Sequence, residues 1–173
     1  RSLQQQNERP GTTHYVVVDK YGNAASVTST IETGFGSRVM VDGFLLNNEL
    51  TDFSFVPDRN GRLIANRVQG GKRPRSSMAP TVVLKEGKPF LITGSPGGSR
   101  IISYVARTIL NVLEWGLDPQ AAINSGHIVN RNGVTELEEE TDAINLKEGL
   151  ESLGHKVKIR NLNSGLHSIL FAQ

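Results

Sequence analysis

The sequence contains no cysteine, which excludes disulfide bonds, a cysteine nucleophile and metal sites built from thiolates. Histidine is also sparse, and the four residues form no HxxxH or HxH pair: His14, His127, His155 and His167. Zinc sites usually need ligands at such short spacings, so we expect no metal site. The chain has no apolar run near the ~20 residues that cross a bilayer, and no recognisable secretory signal.

A strong excess of charge is absent as well. The formal net charge is +2 over 173 residues, which is too small to indicate nucleic acid or an anionic membrane as a partner. The densest basic run, Lys72–Arg75, is interpreted as a solvated loop, with a nucleic-acid signal as the less favoured alternative. Hydrophobic residues make up 37% and charged residues 21%, which is typical of a folded domain, and one domain is the default at this length.

The first eleven residues are polar and end in a Pro-Gly pair, which predicts a flexible tail or linker. The β-branched run Tyr15–Val18 then predicts a strand, and the five residues after it have the composition of a turn. Small or apolar residues alternate with hydroxyl residues over Ala24–Ile31, which favours a second strand and so a hairpin. Thr28 and Thr30 would share one face of that strand.

The middle of the chain predicts a second hairpin, with strands over Thr81–Leu84 and Phe90–Thr93 around a glycine-containing turn. Apolar residues then recur at helical spacing from Arg100 to about Trp115. Ser99 is expected to cap this helix and Gly116 to stop it.

The remaining segments predict mixed elements. Asp118 followed by Pro119 predicts a capped, short helix to about Ser125. The further predicted elements are a strand near Val134–Leu137, a helix from Thr141 or Asp142 to about Leu153, and strands over Lys156–Arg160 and Leu166–Phe171. From pattern alone the fold class is α+β or α/β in one domain.

Thr12 is a candidate nucleophile. A threonine hydroxyl needs a base, and a threonine at a chain start carries one, since its α-amine has an ordinary pKa of ~7.7–8.0. In this sequence eleven residues precede Thr12, and an amide nitrogen is not a base, so this chemistry requires cleavage of the Gly11–Thr12 bond. The alternative is that Thr12 merely begins an edge strand.

The segment Gly94–Arg100, with the sequence GSPGGSR, is a candidate oxyanion-binding loop. Gly97 and Gly98 lead into a predicted helix, and without a Cβ their N–H groups can approach an oxyanion closely. The segment lacks the GxxxxGK[ST] pattern of a phosphate loop and the GxSxG pattern of a serine hydrolase. A plain turn is the remaining alternative, and we expect no cofactor.

Five motifs occur in order along the chain: Thr12–Tyr15 (TTHY), the strand ending in Thr30, Leu45–Phe53 (LLNNELTDF), Arg73–Met78 (RPRSSM) and Gly94–Arg100. Each is weak alone. Together they resemble the small, catalytic subunit of the gamma-glutamyltransferases (gamma-glutamyltranspeptidases). The resemblance runs from about Thr12 to at least Asp118, and more loosely to Phe171.

This resemblance implies an α+β fold, the four-layer αββα sandwich of N-terminal nucleophile hydrolases. It implies transfer of a γ-glutamyl group from glutathione or a related amide to water or to an amino-acid or peptide amine. The enzyme would mature by autocatalytic cleavage at Gly11–Thr12 and would act with a large subunit from the same precursor, without a cofactor, nucleic acid or a membrane span. Family members reside in the bacterial periplasm or outside the cell, so we expect a periplasmic or extracellular location.

The resemblance also implies domain limits. Residues 1–11 would be the end of the large subunit or an unprocessed linker. Residues 12–173 would be the small-subunit domain, incomplete at its C-terminus.

The resemblance further assigns roles to residues of the site. Thr12 is the nucleophile, supported by Thr30, and Gly97 and Gly98 hold the oxyanion. The substrate α-ammonium group would be bound by carboxylates and the α-carboxylate by hydroxyls, at the positions Glu32, Glu49, Asp52, Ser76 and Ser77. An arginine of the large subunit would complete the carboxylate site. Many family members have asparagine at the position of Glu32, whose carboxylate accepts from an ammonium but cannot donate to a carboxylate.

Two further interpretations stay open. The residues upstream of Thr12 favour a non-catalytic protein, an unprocessed precursor fragment that binds a ligand or a partner but is inert. The superfamily also includes members that cleave polyglutamate or acylated β-lactams, and the sequence does not separate these substrates.

Overall fold

The computed structural model describes residues 11–162 and 164–171. The tail predicted over the first eleven residues therefore lies outside the described residues except for Gly11. Helices and strands are mixed along the described ranges, which confirms the α+β class. The chain divides into two compact units. The first comprises Thr12 and Ser29–Ser77, and the second comprises Thr13–Thr28 and the chain from Met78 onward.

The predicted first hairpin is confirmed. Strand β1 (Thr12–Val18) pairs with β2 (Ala24–Thr30) in a two-stranded sheet. The turn between them is held by the Asp19 carboxylate, which accepts the backbone N–H groups of Tyr21 at 2.8 Å and Asn23 at 2.9 Å. This is the Asx-type turn that aspartate favours. The boundary between the two units crosses the open end of this hairpin, so Thr12 and Thr30 belong to the first unit.

The first unit contains two short hairpins that the sequence analysis missed. They are β3 (Met40–Val41) with β4 (Phe44–Leu45), and β5 (Asp58–Arg59) with β6 (Arg62–Leu63). Two-residue strands show no alternation, so hydrophobic period could not reveal them. Their turns did carry a signal, because Asp-Gly and Asn-Gly pairs favour two-residue hairpin loops. All four turn residues have positive φ, between 48° and 84°: Asp42, Gly43, Asn60 and Gly61.

The second unit contains the predicted second hairpin within a larger sheet. Strands β7 (Thr81–Lys85), β8 (Lys88–Gly94) and β12 (His167–Leu170) form an antiparallel sheet with β8 in the centre. Helices α1 (Ile101–Leu113) and α2 (Pro119–Asn124) contact this sheet. The core between them contains Leu91, Val112 and Ala122, so the apolar faces predicted from sequence meet here.

A second three-stranded sheet completes this unit. It contains β9 (Ile128–Asn130), β10 (Thr135–Glu138) and β11 (Val157–Arg160); β10 is antiparallel to β9 and parallel to β11. The crossover between β10 and β11 is the segment predicted as one helix, but it begins as a 3₁₀ turn over Asp142–Leu146 and continues as α3 (Lys147–Ser152). Strand β9 was not predicted, since three residues are too short for a period.

The two helix caps had different outcomes. The Asp118 cap is confirmed, because its carboxylate accepts from the N–H groups of Gln120 at 2.9 Å and Ala121 at 3.1 Å. The Ser99 cap is wrong: a 3₁₀ turn over Gly98–Arg100 precedes α1, and no side chain caps it. Among the described residues, no helix has both the length and the apolar character that a bilayer crossing requires.

Candidate active site

Thr12 and Thr30 form a direct hydroxyl pair at the open end of the first hairpin. Their Oγ1 atoms lie 2.8 Å apart. The Thr30 Oγ1 also accepts the backbone N–H of Glu32 at 2.8 Å. Since that bond uses a lone pair and leaves the hydroxyl proton available, Thr30 can donate to the Thr12 oxygen. The first residue of β1 thus has a hydroxyl whose orientation is set by a second hydroxyl.

The peptide bond before Thr12 is also held in place. The Gly11 N–H donates to the Glu32 carbonyl, and the Gly11 carbonyl accepts from the Ile31 N–H, both at 3.2 Å. A side chain at position 11 would collide with the Thr33 carbonyl oxygen at 2.7 Å, so this close approach requires glycine. The hydrogen bond from Ile31 polarises the carbonyl that an attacking Thr12 hydroxyl would have to reach.

Glu32 lies next to the same pair and is held by Asn48. Its backbone has φ of 72°, the left-handed region that non-glycine residues rarely occupy. Asn48 donates from Nδ2 to the Glu32 Oε2 at 2.8 Å, while its Oδ1 accepts the Thr33 N–H at 3.1 Å. The sequence did not indicate a role for Asn48, whose side chain fixes the Glu32 carboxylate in one orientation.

Glu49 lies in an unusually negative environment. Burial raises the pKa of the Glu49 carboxyl above its ordinary value, and the carboxylates of Asp52 and Glu32 raise this pKa further. Among the described residues, the buried Oε2 atom of Glu49 has no hydrogen-bond partner. Three carboxylates that repel one another favour a cationic ligand, because each would form a charge-assisted hydrogen bond with it.

Ser76 and Ser77 end the first unit, and their surroundings are basic. Ser76 is exposed and Ser77 is half-buried, following the exposed Arg73 and Arg75. The Arg75 N–H donates to the Asn66 Oδ1 at 2.9 Å, and Asn66 Nδ2 donates to the Asp52 carbonyl at 2.6 Å. Asn66 therefore connects the segment that ends in the two serines to the turn that contains Asp52.

The glycine loop Gly94–Arg100 lies in the second unit, between β8 and α1. Gly97 has φ of 142° and Gly98 has φ of 58°, values that side-chain-bearing residues rarely adopt. A Cβ on Gly97 would lie 2.6 Å from the buried Tyr104 ring. The N–H groups here precede and begin a helix, where backbone donors have no intrahelical acceptor.

The front of this loop is fixed by packing. Ser95 is fully buried, and its hydroxyl donates to the Pro96 carbonyl at 2.6 Å and accepts the Gly165 N–H at 3.3 Å. A side chain at Gly94 would overlap the imidazole of His14. The start of the loop is therefore closely packed and cannot accept larger residues.

Two groups of side chains near these segments were missed from sequence. His14 is buried, and its Nδ1 lies 2.8 Å from the Thr28 Oγ1. His14 follows Thr12 by two residues on β1, and Thr28 precedes Thr30 by two on β2, so this pair lies on the same face of the hairpin as the threonine pair. Glu136 is buried on β10 and bound by arginines, as described below. Period-2 alternation could have indicated His14, whereas nothing in the local sequence indicated Glu136.

The structure brings the assigned residues together in part. Thr12 lies beside Thr30, and Glu32, Glu49 and Asp52 interact electrostatically within the same unit. Gly97 and Gly98 belong to the other unit. Over the described residues, no group of three or more carboxylate or histidine side chains could hold a metal ion.

Comparisons with known proteins identify the family. The sequence profile of the family described as Gamma-glutamyltranspeptidase matches residues 1–173. The chain belongs to the gamma-glutamyltranspeptidase family. It is similar to the glutathione hydrolase proenzyme of Bacillus subtilis, with 44% identity over 147 residues, 84% of this chain and 24% of that protein. It is 42% identical to the glutathione hydrolase proenzyme of Escherichia coli over 170 residues, 92% of this chain and 29% of that protein.

A solved gamma-glutamyltranspeptidase also has the same fold. A Thr-to-Ala mutant of the Helicobacter pylori enzyme superposes with a TM-score of 0.81 at 38% identity, covering 91% of this chain and 90% of that one. The fold of this chain is thus that of the family. The chain spans about a quarter of the length of the curated relatives it matches.

Proposed function

We propose that this chain is the threonine-bearing subunit of an enzyme that transfers γ-glutamyl groups from glutathione or related amides to water or to amines. The observation that carries the proposal is the Thr12–Thr30 hydroxyl pair at 2.8 Å, placed directly after a Gly–Thr bond held by backbone hydrogen bonds. The curated relatives are named glutathione hydrolase proenzymes, which supports both the reaction and a precursor.

Maturation would precede catalysis. The Thr12 hydroxyl attacks the Gly11 carbonyl carbon, the C–N bond breaks, and the acyl group moves from nitrogen to oxygen. Water then hydrolyses the resulting ester, which frees the Thr12 amine and hydroxyl. Thr30 assists by orienting the attacking oxygen, and the Ile31 N–H stabilises negative charge on the Gly11 oxygen.

Catalysis would then use the freed amine as the base. It accepts the hydroxyl proton while Oγ1 attacks the γ-carbonyl of the substrate, and Gly97 and Gly98 donate to the oxyanion. The proton passes to the leaving amine, and a γ-glutamyl ester remains on Thr12. Attack by water completes hydrolysis, and attack by an amino-acid or peptide amine completes transpeptidation.

The two charged groups at the glutamate end of the substrate would be bound by different residues. The α-ammonium group binds Glu32, Glu49 and Asp52, whose mutual repulsion it relieves. Ser76 and Ser77 donate to the α-carboxylate, with an arginine from the large subunit. Other members of the superfamily cleave polyglutamate or acylated β-lactams. Assays with a panel of these substrates would distinguish them from γ-glutamyl amides.

The partner would be a large subunit from the same precursor. In support, α1 presents a stripe of exposed apolar side chains at helical spacing: Ile102, Leu110 and Leu113. In this proposal residues 1–11 are the end of the large subunit or an unprocessed linker, and residues 12–173 belong to the small-subunit domain. The location would be periplasmic or extracellular.

The alternative function is that of an inert precursor that only binds a ligand or partner. The eleven residues before Thr12 favour it, because an amide nitrogen cannot act as the base. The two functions differ in one observable, the N-terminus of the purified protein.

The test is intact mass and N-terminal sequencing, followed by turnover of a γ-glutamyl anilide with and without the large subunit. We expect a chain that begins at Thr12 and an activity that needs the large subunit. Thr30→Val should slow both cleavage and turnover, whereas Ser29→Ala, an exposed neighbour on the other face of β2, should leave both unchanged. An uncleaved Gly11–Thr12 bond after long incubation with the large subunit present would leave only the inert alternative.

A further inference from the structure

Glu136 is the centre of a charge cluster that the proposed mechanism does not use. It lies on β10, is 6% exposed, and is approached by three guanidinium groups. Arg100 binds it in bidentate fashion, with Nε 2.7 Å from Oε2 and Nη2 3.1 Å from Oε1. Arg160 contacts Oε1 at 3.1 Å from β11, and Arg131 lies 3.8 Å from the same oxygen.

Two of these contacts lead back to the glycine loop. Arg100 is the last residue of the 3₁₀ turn Gly98–Arg100, and its N–H donates to the Gly97 carbonyl at 3.2 Å. Ser99, in the middle of the turn, accepts a hydrogen bond from Arg131. The rear of the loop is therefore attached to the second sheet through guanidinium groups that converge on one carboxylate.

The rear of the loop has little else to hold it. The front is packed, since Ser95 is fully buried and Gly97 contacts Tyr104. Gly98 and Ser99 are exposed, and a Cβ on Gly98 would meet nothing within 4 Å. A backbone segment without packing keeps a single geometry only if a strong polar contact holds it, and bidentate guanidinium–carboxylate pairs are the strongest of these.

We propose that Glu136 is a positioning residue, which acts through Arg100 to hold the Gly97 and Gly98 N–H groups in the geometry that stabilises the oxyanion. The inference rests on the proposed function of this loop. Its physical basis is that donors to an oxyanion must be in place before charge develops, so that no reorganisation is needed at the moment of reaction. Displacement of a reacting group by about 1 Å can cost about 100-fold in rate.

The experiment uses the processed enzyme with its large subunit and compares Glu136→Gln with Glu114→Gln. The control makes the same charge change at an exposed position on the end of α1. For molecules confirmed to begin at Thr12, kcat and KM are measured with a γ-glutamyl anilide. Affinity is also measured for an amino-acid boronate that forms a tetrahedral adduct with Thr12. Hydrogen exchange of the peptide covering residues 94–100 is followed in parallel.

We expect Glu136→Gln to lower kcat by about 10- to 100-fold, which is less than the full loss of an oxyanion donor would cause. KM should stay within about threefold of the wild-type value. Boronate affinity should fall by the same factor, because the adduct carries the oxyanion, and exchange in residues 94–100 should speed up while that in β7 does not. Equal kcat in the two variants, or a change in KM alone, would overturn the proposal. An inactive wild-type enzyme would instead refute the proposed function.

A second pair of variants covers the case in which Glu136→Gln does not fold. Arg100→Lys keeps the charge but removes the bidentate contact, whereas Arg160→Lys alters the same cluster without touching the loop. Arg100→Lys should lower kcat and boronate affinity together, and Arg160→Lys should change neither by more than about twofold. Equal effects from both would show that Glu136 does not act through Arg100.

Discussion

At the scale of single residues, the carboxylates of Asp52 and Glu32 both act on Glu49 in the first unit. The pKa of the Glu49 carboxyl is raised first by burial and then by the charges of Asp52 and Glu32. A protein that only needed stability would not bring like charges together, because carboxylates that lie close to one another repel. Local instability of this kind is typical of sites that are completed by a ligand.

Asp52 gives the sharpest test at this scale. If the proposed function is right, Asp52→Ala removes one of the charge-assisted hydrogen bonds to the substrate ammonium group, each worth about 1.5–3 kcal/mol. We expect KM for a γ-glutamyl anilide to rise about 10- to 100-fold, while cleavage before Thr12 proceeds at the wild-type rate. Asp58→Ala, an exposed aspartate on β5, is the control. An unchanged KM would exclude Asp52 from ammonium binding.

The sequence predicts residue types for the candidate site, but it does not predict their partners. The order of the motifs indicates Thr12, Thr30 and the acidic positions. The sequence did not show that Asn48 would hold Glu32, or that His14 would face Thr28. Such pairs join residues more than ten positions apart, and local spacing says nothing about contacts of that range.

At the scale of elements, the glycine loop joins a buried strand to a helix. Residues of β8 from Leu91 to Gly94 are fully buried, and α1 begins only seven residues later. The backbone reverses there by means of two consecutive positive φ values, at Gly97 and Gly98. The close contact of Gly97 with Tyr104 then makes the loop intolerant of even one added methyl group.

Gly97→Ala should therefore damage function far more than a change of another positive-φ glycine that has open space around it. The new Cβ would have to displace the Tyr104 ring from 2.6 Å. We expect kcat to fall by at least about 100-fold. Gly87→Ala, with φ of 77° and open space around it, should cost about 1 kcal/mol of stability and leave kcat unchanged. Similar kcat values in both variants would show that the loop backbone does not take part in the reaction.

Elements with a clear period were predicted correctly, and short ones were not. The two main hairpins, α1 and α2 matched the alternation, the helical spacing and the Asp-Pro cap. The predicted helix after Thr141 proved to be half 3₁₀, and the Ser99 cap failed because Arg131 binds the Ser99 hydroxyl instead. A side chain recruited by a distant arginine cannot be recognised from the local sequence.

At the scale of the whole molecule, stability depends on a buried histidine. His127 is 3% exposed and packs on Tyr104, with the ring centroids 4.1 Å apart. Burial, and then the charge of Arg107, lower the pKa of His127 to about 4. The unfolded chain, with a pKa near 6.5, binds the proton more readily, so protonation favours unfolding. Its contribution is complete above about pH 6.5 and is lost as the pH falls toward 4.

Acid should therefore destabilise the protein through this residue by up to about 3 kcal/mol, at 1.36 kcal/mol per pKa unit. His14, whose pKa is lowered by burial and then by His167, adds in the same direction, while the raised pKa of Glu138 opposes both. His127→Phe retains an aromatic ring against Tyr104 but cannot titrate. Urea unfolding between pH 7.5 and 4.5 should show a smaller pH slope for this variant; equal slopes would exclude His127 as the cause.

The sequence by itself determined the family, through the order of its motifs, and the mixture of helices and strands, because local periodicity is a property of neighbouring residues. It also predicted the chemical types of the candidate site. Only the tertiary structure decided which of those residues touch. It placed the Thr12 and Thr30 hydroxyls 2.8 Å apart, brought the carboxylates of Glu32 and Asp52 near Glu49, and attached the glycine loop to Glu136. These contacts depend on strand pairing and on packing between segments that are distant in sequence. The distances between such segments cannot be read from residue spacing.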